Sequence, residues 1–394
     1  MKTKLITLLL ALATLCGFAQ VEPQVTKPDT ILYNGEPLIP TDRVDLLKNV
    51  DVIANMQFGF NNYFNDGKHT NSRFAMNQFR MEIKGKVHDK VYFRFRNRYT
   101  RAQDPQSLDN LSRAVDLAFI RVDVSKKFNL QFGKMCADWG GYEFDLNPID
   151  IYEYNDIVEY ADNFLTGAQA SYNVCTDHSL TFQILNSRTK TYDELYDTIP
   201  GVEESKFPAA LVFNWRGSFW GGKFTTLWSY SAFLEAKNKS MHYIALGNQL
   251  NLGKFQATYD FKYSIEDIDR KTVVTSIVPD SYDPYASLDV DYIEHWLQVK
   301  YRFHPKWSAT IVGMVSDAYW RGNPDANKDD HLRTAWGVIP SIEFYPFKKV
   351  NLYFFATYVS RMYKYTDYAK TTFGSQDYDT SRIMIGFISP LLIL

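Results

Sequence analysis

The chain has 394 residues, with 43 Lys and Arg against 45 Asp and Glu and a net charge of −2, a balance that gives no general attraction to nucleic acid. Aromatic residues make up 16%, Tyr and Phe above all, which suits strands and the interfacial girdles of membrane barrels. Mean hydropathy is −0.31, and beyond the first residues no apolar run is long enough for a helical span, so any passage through a bilayer must be made of strands.

Lys2 and Lys4 precede an apolar run from Leu5 to Leu15, and Gly17, Phe18 and Ala19 offer small residues at the two positions a signal peptidase reads. Residues 1–19 are expected to be a signal peptide, removed to leave Gln20 as the mature start. Cys16 would suit a lipid anchor, but Leu15 stands before it where a small residue is wanted. Residues 20–48, with most of the early prolines, read as a periplasmic extension, and 49–394 as a transmembrane barrel.

From residue 49 on, apolar and polar side chains alternate in long stretches. Val52, Ala54, Met56, Phe58 and Phe60 share one face against Asp51, Asn55 and Gln57. Phe79, Met81 and Ile83 oppose Arg80, Glu82 and Lys84; Val91, Phe93 and Phe95 oppose Arg94, Arg96 and Arg98; Ile120 and Val122 oppose Arg121 and Asp123. Later stretches repeat the pattern, such as Ile293, Leu297 and Val299 against Glu294, Gln298 and Lys300. Period two is the strand signal, because successive side chains point to opposite faces. Val312 and Asn248 fit their faces poorly.

Very short turns fall at His88 and Asp89, Lys126 and Lys127, Thr176 and Asp177, Gly221 and Gly222, Gly253, His304 and Pro305, and Phe347 and Lys348. Longer links are expected at 65–71, 102–112, 137–163, 189–206, 235–239, 266–288, 321–330 and 365–380. Short and long connections thus alternate, separating about sixteen strands of an antiparallel, all-β barrel with both termini in the periplasm. A soluble β protein would have strands of about five or six residues and a polar outer face. Here many strands run to roughly ten, and the charged face has no place in a small dry core. Sixteen strands about 4.8 Å apart and tilted near 40° enclose a diameter of roughly 30 Å, too wide for side chains to fill.

The third long link, 137–163, carries Asp138, Glu143, Asp145, Asp150, Glu153, Asp156 and Glu159, then Asp162, and no Lys or Arg. The strands before it are biased the other way, with Arg80, Lys84, Arg94, Arg96, Arg98 and Arg121 on the lumen phase. If the link folds inward it faces this basic wall across a constriction and is held by charge-assisted bonds. If it stays outside it is a solvated loop, with acids that could chelate divalent cations. Trp139, Gly140 and Gly141 read as a tight turn that starts the link, with Trp139 near the rim.

No cofactor and no metal site is expected. Cys136 and Cys175 fall at opposite ends of neighbouring strands, roughly 30 Å apart, too far to bridge. His69, His88, His178 and His331 fall at strand ends or turns, and His242 and His295 on outward phases or near strand starts, with no nucleophile and base arrangement around any of them. An enzyme is therefore not expected.

Gly133 and Lys134, the run from Asp138 to Asp145 (Asp-Trp-Gly-Gly-Tyr-Glu-Phe-Asp), Asn147 and Pro148, and Tyr152 together resemble the Bacteroidetes members of the phosphate-selective porin O and P family. The resemblance is sharpest over about residues 79–175. It implies a sixteen-stranded barrel, commonly trimeric, with an inward third loop and with ladders of Arg and Lys that guide phosphate. Arg94, Arg96 and Arg98 look like such a ladder by type and spacing. The acidic link departs from the pattern, since it would repel an anion passing close by, and so does the ending Pro390 to Leu394, which lacks a terminal aromatic. The leading expectation is a Gram-negative outer-membrane porin, a water-filled channel for small hydrophilic solutes and ions, set in lipid as a homotrimer. An anion-selective or phosphate-selective channel is the alternative, and a plugged, adhesin-type barrel stands third.

Overall fold

The computed structural model describes residues 49–394, so the expected signal peptide and periplasmic extension lie outside the described residues. Eight strands form the first half: β1 (Val50–Asn65), β2 (Lys68–His88), β3 (Val91–Arg98), β4 (Val115–Asp123), β5 (Phe128–Cys136), β6 (Phe164–Asn173), β7 (His178–Asn186) and β8 (Ala209–Phe219). Eight more complete it: β9 (Phe224–Ala236), β10 (Lys239–Leu252), β11 (Phe255–Ile268), β12 (Leu288–His304), β13 (Trp307–Trp320), β14 (His331–Phe344), β15 (Tyr353–Tyr365) and β16 (Tyr378–Leu392). Each pairs antiparallel with its chain neighbour, and β1 pairs with β16, so the sheet closes without an end strand. The closing seam runs from Ile53 opposite Leu392 to Asn65 opposite Thr380. The last strand therefore carries Pro390 and Leu391 inside the wall, and needs no aromatic at its end to complete the pairing.

One face of the wall is apolar and exposed: Phe182, Ile184, Leu297, Ile311, Ile342 and Ile385 stand on it. In water such a surface would be costly; in a bilayer it is the solvated face. Asn248 belongs to this outer face, where its side-chain oxygen accepts a hydrogen bond from the indole of Trp228 at 3.3 Å, which explains its polarity among apolar neighbours.

Two of the expected long links are instead tight turns. The connection expected at 65–71 is Asp66 and Gly67 alone, both in the left-handed region with φ of 47° and 73°. An Asp-Gly pair is the sequence that a type I′ hairpin demands, and this signal outweighs the polar character of Lys68 to Asn71, which lie in β2. The connection expected at 235–239 is Lys237 and Asn238, with Asn238 at φ 59°.

The inner side of the wall is not uniformly polar. β3 to β7 are 8 to 10 residues long, and the charged rows lie on β2 to β4. On the taller side, Trp296, Val312, Met314, Ile339, Tyr353, Phe355, Val359 and Met384 form a buried apolar cluster around Ile149 of the segment 137–163. A second cluster gathers Trp139 and Ile157 with Phe233, Tyr243, Val273, Val274, Tyr292 and Trp320. Val312 breaks the expected pattern for this reason: its inward neighbour is another part of the chain, not water. Trp139 is 3% exposed and packs on Phe144, Phe233 and Tyr243.

Candidate functional site

Pairing puts the basic rows of three strands side by side. Arg80 lies opposite Arg98 and Lys84 opposite Arg94 across β2 and β3, and Arg94 lies opposite Phe119 of β4. So many like charges on one patch would repel without an internal counter-charge. Asp116 supplies one, with its carboxylate 3.1 Å from Arg80, 3.3 Å from Arg96 and 3.0 Å from Arg98, and fully buried. Glu82 pairs with Arg94 at 3.0 Å, and Asp123 with Arg121 at 3.1 Å.

Asp116 is a site residue that sequence reasoning missed. Strict alternation along β4 would send it outward with Ile120 and Val122. The ladder with β3 shifts register between Arg96 and Asn97, whose partners are Leu117 and Val115, so Asp116 is skipped and turned toward the arginines. A bulge re-aims one side chain in this way, and nothing in the local pattern announces it.

The segment 137–163 is tied to strands on several sides of the barrel. Arg216 of β8 holds Asp138 at 2.7 Å and Asp145 at 2.8 Å. The short helix Tyr142–Asp145 starts on Asp260 of β11, whose carboxylate accepts from the backbone N–H of Tyr142 at 2.9 Å and of Glu143 at 2.7 Å. A side chain on Gly141 would collide there, since its Cβ would lie 2.4 Å from the Asp260 carboxyl carbon. Glu143 is buried against Lys262 of β11, which also reaches Glu294 of β12 at 3.2 Å. Burial holds the Glu143 carboxyl above the ordinary carboxylate range, against the pull of the Lys262 ammonium.

Farther along, Gln57 of β1 donates to the Ile149 carbonyl at 2.7 Å, and Tyr353, the first residue of β15, donates to Asp150 at 2.6 Å. Glu153 pairs with Arg382 of β16 at 2.7 Å. Asp156 pairs with Arg361 at 2.7 Å and also with Arg333. Glu159 is exposed. The ion pairs of the segment thus run to Arg216, Lys262, Arg270, Arg333, Arg361 and Arg382, whereas the wall partners expected from the sequence, Arg80, Arg96, Arg98 and Arg121, pair with Asp116 and Asp123. Partners so distant in sequence are fixed by the closure of the barrel, which no local pattern encodes.

Beside the segment lies a cavity of about 2140 Å³ lined by residues of β1 to β10 and of the segment, with none from β11 to β16. It is lined at one end by short-turn residues such as Asp89 and Lys126, and at the other by Arg101, Gln106 and Arg113 of the long links. All six sequence-predicted basic residues line it. Of the seven acidic ones Asp138, Asp145, Glu153 and Glu159 do, while Glu143, Asp150 and Asp156 do not. Fourteen Lys and Arg and ten Asp and Glu line the cavity in all.

The family model described as phosphate-selective porin O and P matches residues 50–388. The chain belongs to the phosphate-selective porin O and P family. Among solved structures, this porin is similar to the outer membrane channel DcaP of Acinetobacter baumannii, at 11% identity and TM-score 0.56, over 86% of this chain and 97% of the other. It is similar to OmpF of Salmonella typhi in complex with daunomycin, at 13% identity and TM-score 0.56, over 86% and 98%. It is also similar to the anion-selective porin of Comamonas acidovorans, at 7% identity and TM-score 0.54, over 86% and 98%. At these identities the likeness is one of fold. No curated protein matches the sequence.

The porin is an outer-membrane channel protein for passive diffusion, and family and fold are those of channels, not of enzymes. Its histidines serve the wall. His242 meets the Tyr230 hydroxyl and His295 the Tyr259 hydroxyl, each at 2.8 Å, and His331 lies 3.2 Å from Asp317. Among the described residues no group of three or more His, Cys, Asp or Glu could hold a metal ion. Cys136 and Cys175 are both free.

Proposed function

We propose that this porin is an anion-preferring diffusion channel, with the segment 137–163 folded into the barrel as its constriction. The passage runs between that segment and the basic arc of Arg80, Lys84, Arg94, Arg96, Arg98 and Arg121. One observation carries the reading: of the segment's five cavity-lining carboxylates, Asp138, Asp145, Glu153 and Asp162 are paired with wall cations. Glu143, Asp150 and Asp156 turn from the cavity, Asp138 and Asp145 share Arg216, and Glu153 is paired with Arg382 and Asp162 with Arg270. Across the cavity, three arginines share the single carboxylate of Asp116. The acidity that argued against an anion in the sequence is therefore offset in part, and the arc keeps net positive charge toward the water. Small hydrophilic anions, inorganic phosphate among them, are the favoured solutes. Salt screens such a field over about 10 Å at 0.1 M, so the preference falls as ionic strength rises. The channel sits in outer-membrane lipid as a homotrimer, with its short turns and both chain ends on the periplasmic side.

The test is the reversal potential of the refolded protein in a planar bilayer under a potassium chloride gradient. A potential of the sign for chloride preference, lost when Arg94, Arg96 and Arg98 are all replaced by Gln, supports the reading; a parental potential near zero or of the opposite sign defeats it. A plugged barrel is the second reading, favoured by the apolar clusters that pack the inner side of β12 to β16. Liposomes that fail to swell with any sugar would select it.

A further inference from the structure

We infer that the passage is built to take organic anions that carry an apolar or aromatic body, and to hold them better than inorganic anions. The inference rests on the anion preference proposed above and assigns the solute class that the two sides of the cavity fit together.

Three carboxylates of the segment 137–163, Glu143, Asp150 and Asp156, are turned away from the cavity, while Phe144, Leu146, Tyr152 and Tyr154 line it together with Asp138, Asp145, Glu153, Glu159 and Asp162. The side that meets the passage thus carries apolar and aromatic side chains between its carboxylates, and it lies across the cavity from the row of guanidinium groups on β2 to β4. An inorganic ion gains nothing from such a surface and loses part of its hydration beside it. Apolar side chains gathered on a water-filled passage mark a site of contact with something apolar.

The basic side has rings as well as charges. Arg96 and Arg98 lie over Phe164 at 5.3 and 6.0 Å from the ring centre, and Arg121 lies over Tyr92 at 4.6 Å. Stacking of this kind holds a guanidinium flat, so that the N–H groups not given to Asp116 or Asp123 can meet an acceptor and the plane is matched to a second planar group. A solute with an anionic head and a ring or short hydrocarbon body satisfies both sides at once: its head meets the arginine edges, and its body lies on Phe144, Tyr152 and Tyr154. A carboxylate or sulfonate head serves equally, because the recognising chemistry is the same charge-assisted pairing.

The test uses two permanently ionised probes, benzenesulfonate and methanesulfonate, with inorganic phosphate for comparison, on the refolded full-length porin in planar bilayers. The chloride current should fall to half at a benzenesulfonate concentration about tenfold below that needed for methanesulfonate or phosphate, equivalent to about 1.4 kcal/mol. Replacing Phe144 and Tyr154 by Ser should reduce that ratio to about twofold. The parental comparison needs no variant, so the inference stays open to refutation if the double variant does not fold. Equal inhibition by both sulfonates in a channel that still prefers chloride to potassium overturns this inference and leaves the anion reading standing. A channel without chloride preference overturns the anion reading, and this inference with it.

Discussion

Replacing Lys262 by Met should release the segment 137–163 from the wall. Lys262 is fully buried between Glu143 and Glu294. Glu143 also accepts from the Asn155 backbone N–H at 2.6 Å, and Glu294 from that of Ile157 at 2.7 Å. One ammonium therefore bridges two carboxylates that between them hold the backbone on either side of Asp156. Breaking a buried ion pair from one side costs about 3–5 kcal/mol, because the remaining charge is left without a partner. Water entering from the neighbouring cavity lowers the cost toward about 3 kcal/mol, a loss of about a hundredfold in docking. Ten of the sixteen strands line the cavity while the segment occupies the rest, so full release would raise the conducting cross-section by roughly half as much again.

Single-channel recording of refolded K262M should therefore show larger and noisier openings than the parent. Because the docked Glu143 carboxyl is held above its ordinary range, docking takes up a proton and strengthens as pH falls. Mild acid should then quieten K262M by neutralising the orphaned carboxylates, and E143Q should stay close to the parent. A K262M channel with the steady conductance of the parent at neutral pH would refute this reasoning.

Asp156 is held by both Arg333 and Arg361, so R333Q alone should change channel noise little, whereas the R333Q and R361Q double variant should resemble K262M in the same recordings. Leu297 stands at mid-strand on the outer face and is 45% exposed; L297R should lower stability by about 2–4 kcal/mol in denaturant unfolding from liposomes. Gln249, which lines the cavity, should accept Arg with less than about 1 kcal/mol of loss in the same assay. Gly67, at φ 73° in the β1–β2 turn, should cost about 1 kcal/mol on replacement by Ala in that unfolding measurement.

Much of the fold was legible because a membrane barrel writes its geometry locally. Period-two alternation set the faces of β2, β3 and β12, and six of the seven expected short turns are connections of two to four residues; the seventh, expected at Phe347 and Lys348, is an eight-residue link from Tyr345 to Leu352. The two misjudged links show competing signals: polar residues around Asp66 and Gly67 suggested a long loop, although the dipeptide itself specifies a two-residue hairpin. The basic arc was legible as repeated Arg at period two. Its counter-ion Asp116 was not, since a bulge removes it from the alternation that would have revealed its direction. Nor were Lys262, Arg333, Arg361 and Arg382, isolated cations with no row of like charges at period two, brought against the segment only once β1 meets β16. Closure is a long-range property, and the partners it creates leave no mark on the residues next to them.

Cysteine accessibility along β3 is the most direct probe of which face meets water and of the charge found there. With Cys136 and Cys175 replaced by Ser, single cysteines are placed at positions 93, 94, 95 and 98 of the refolded protein in liposomes, and their rates with anionic and cationic methanethiosulfonates are compared. Cysteines at 94 and 98 should react, and faster with the anionic reagent after correction for its rate with a free thiol, while those at 93 and 95 should stay protected by lipid. Reaction at 93 and 95 with silence at 94 and 98, or a faster cationic reagent at the latter pair, would contradict a cationic, water-filled passage on the inner side of this wall.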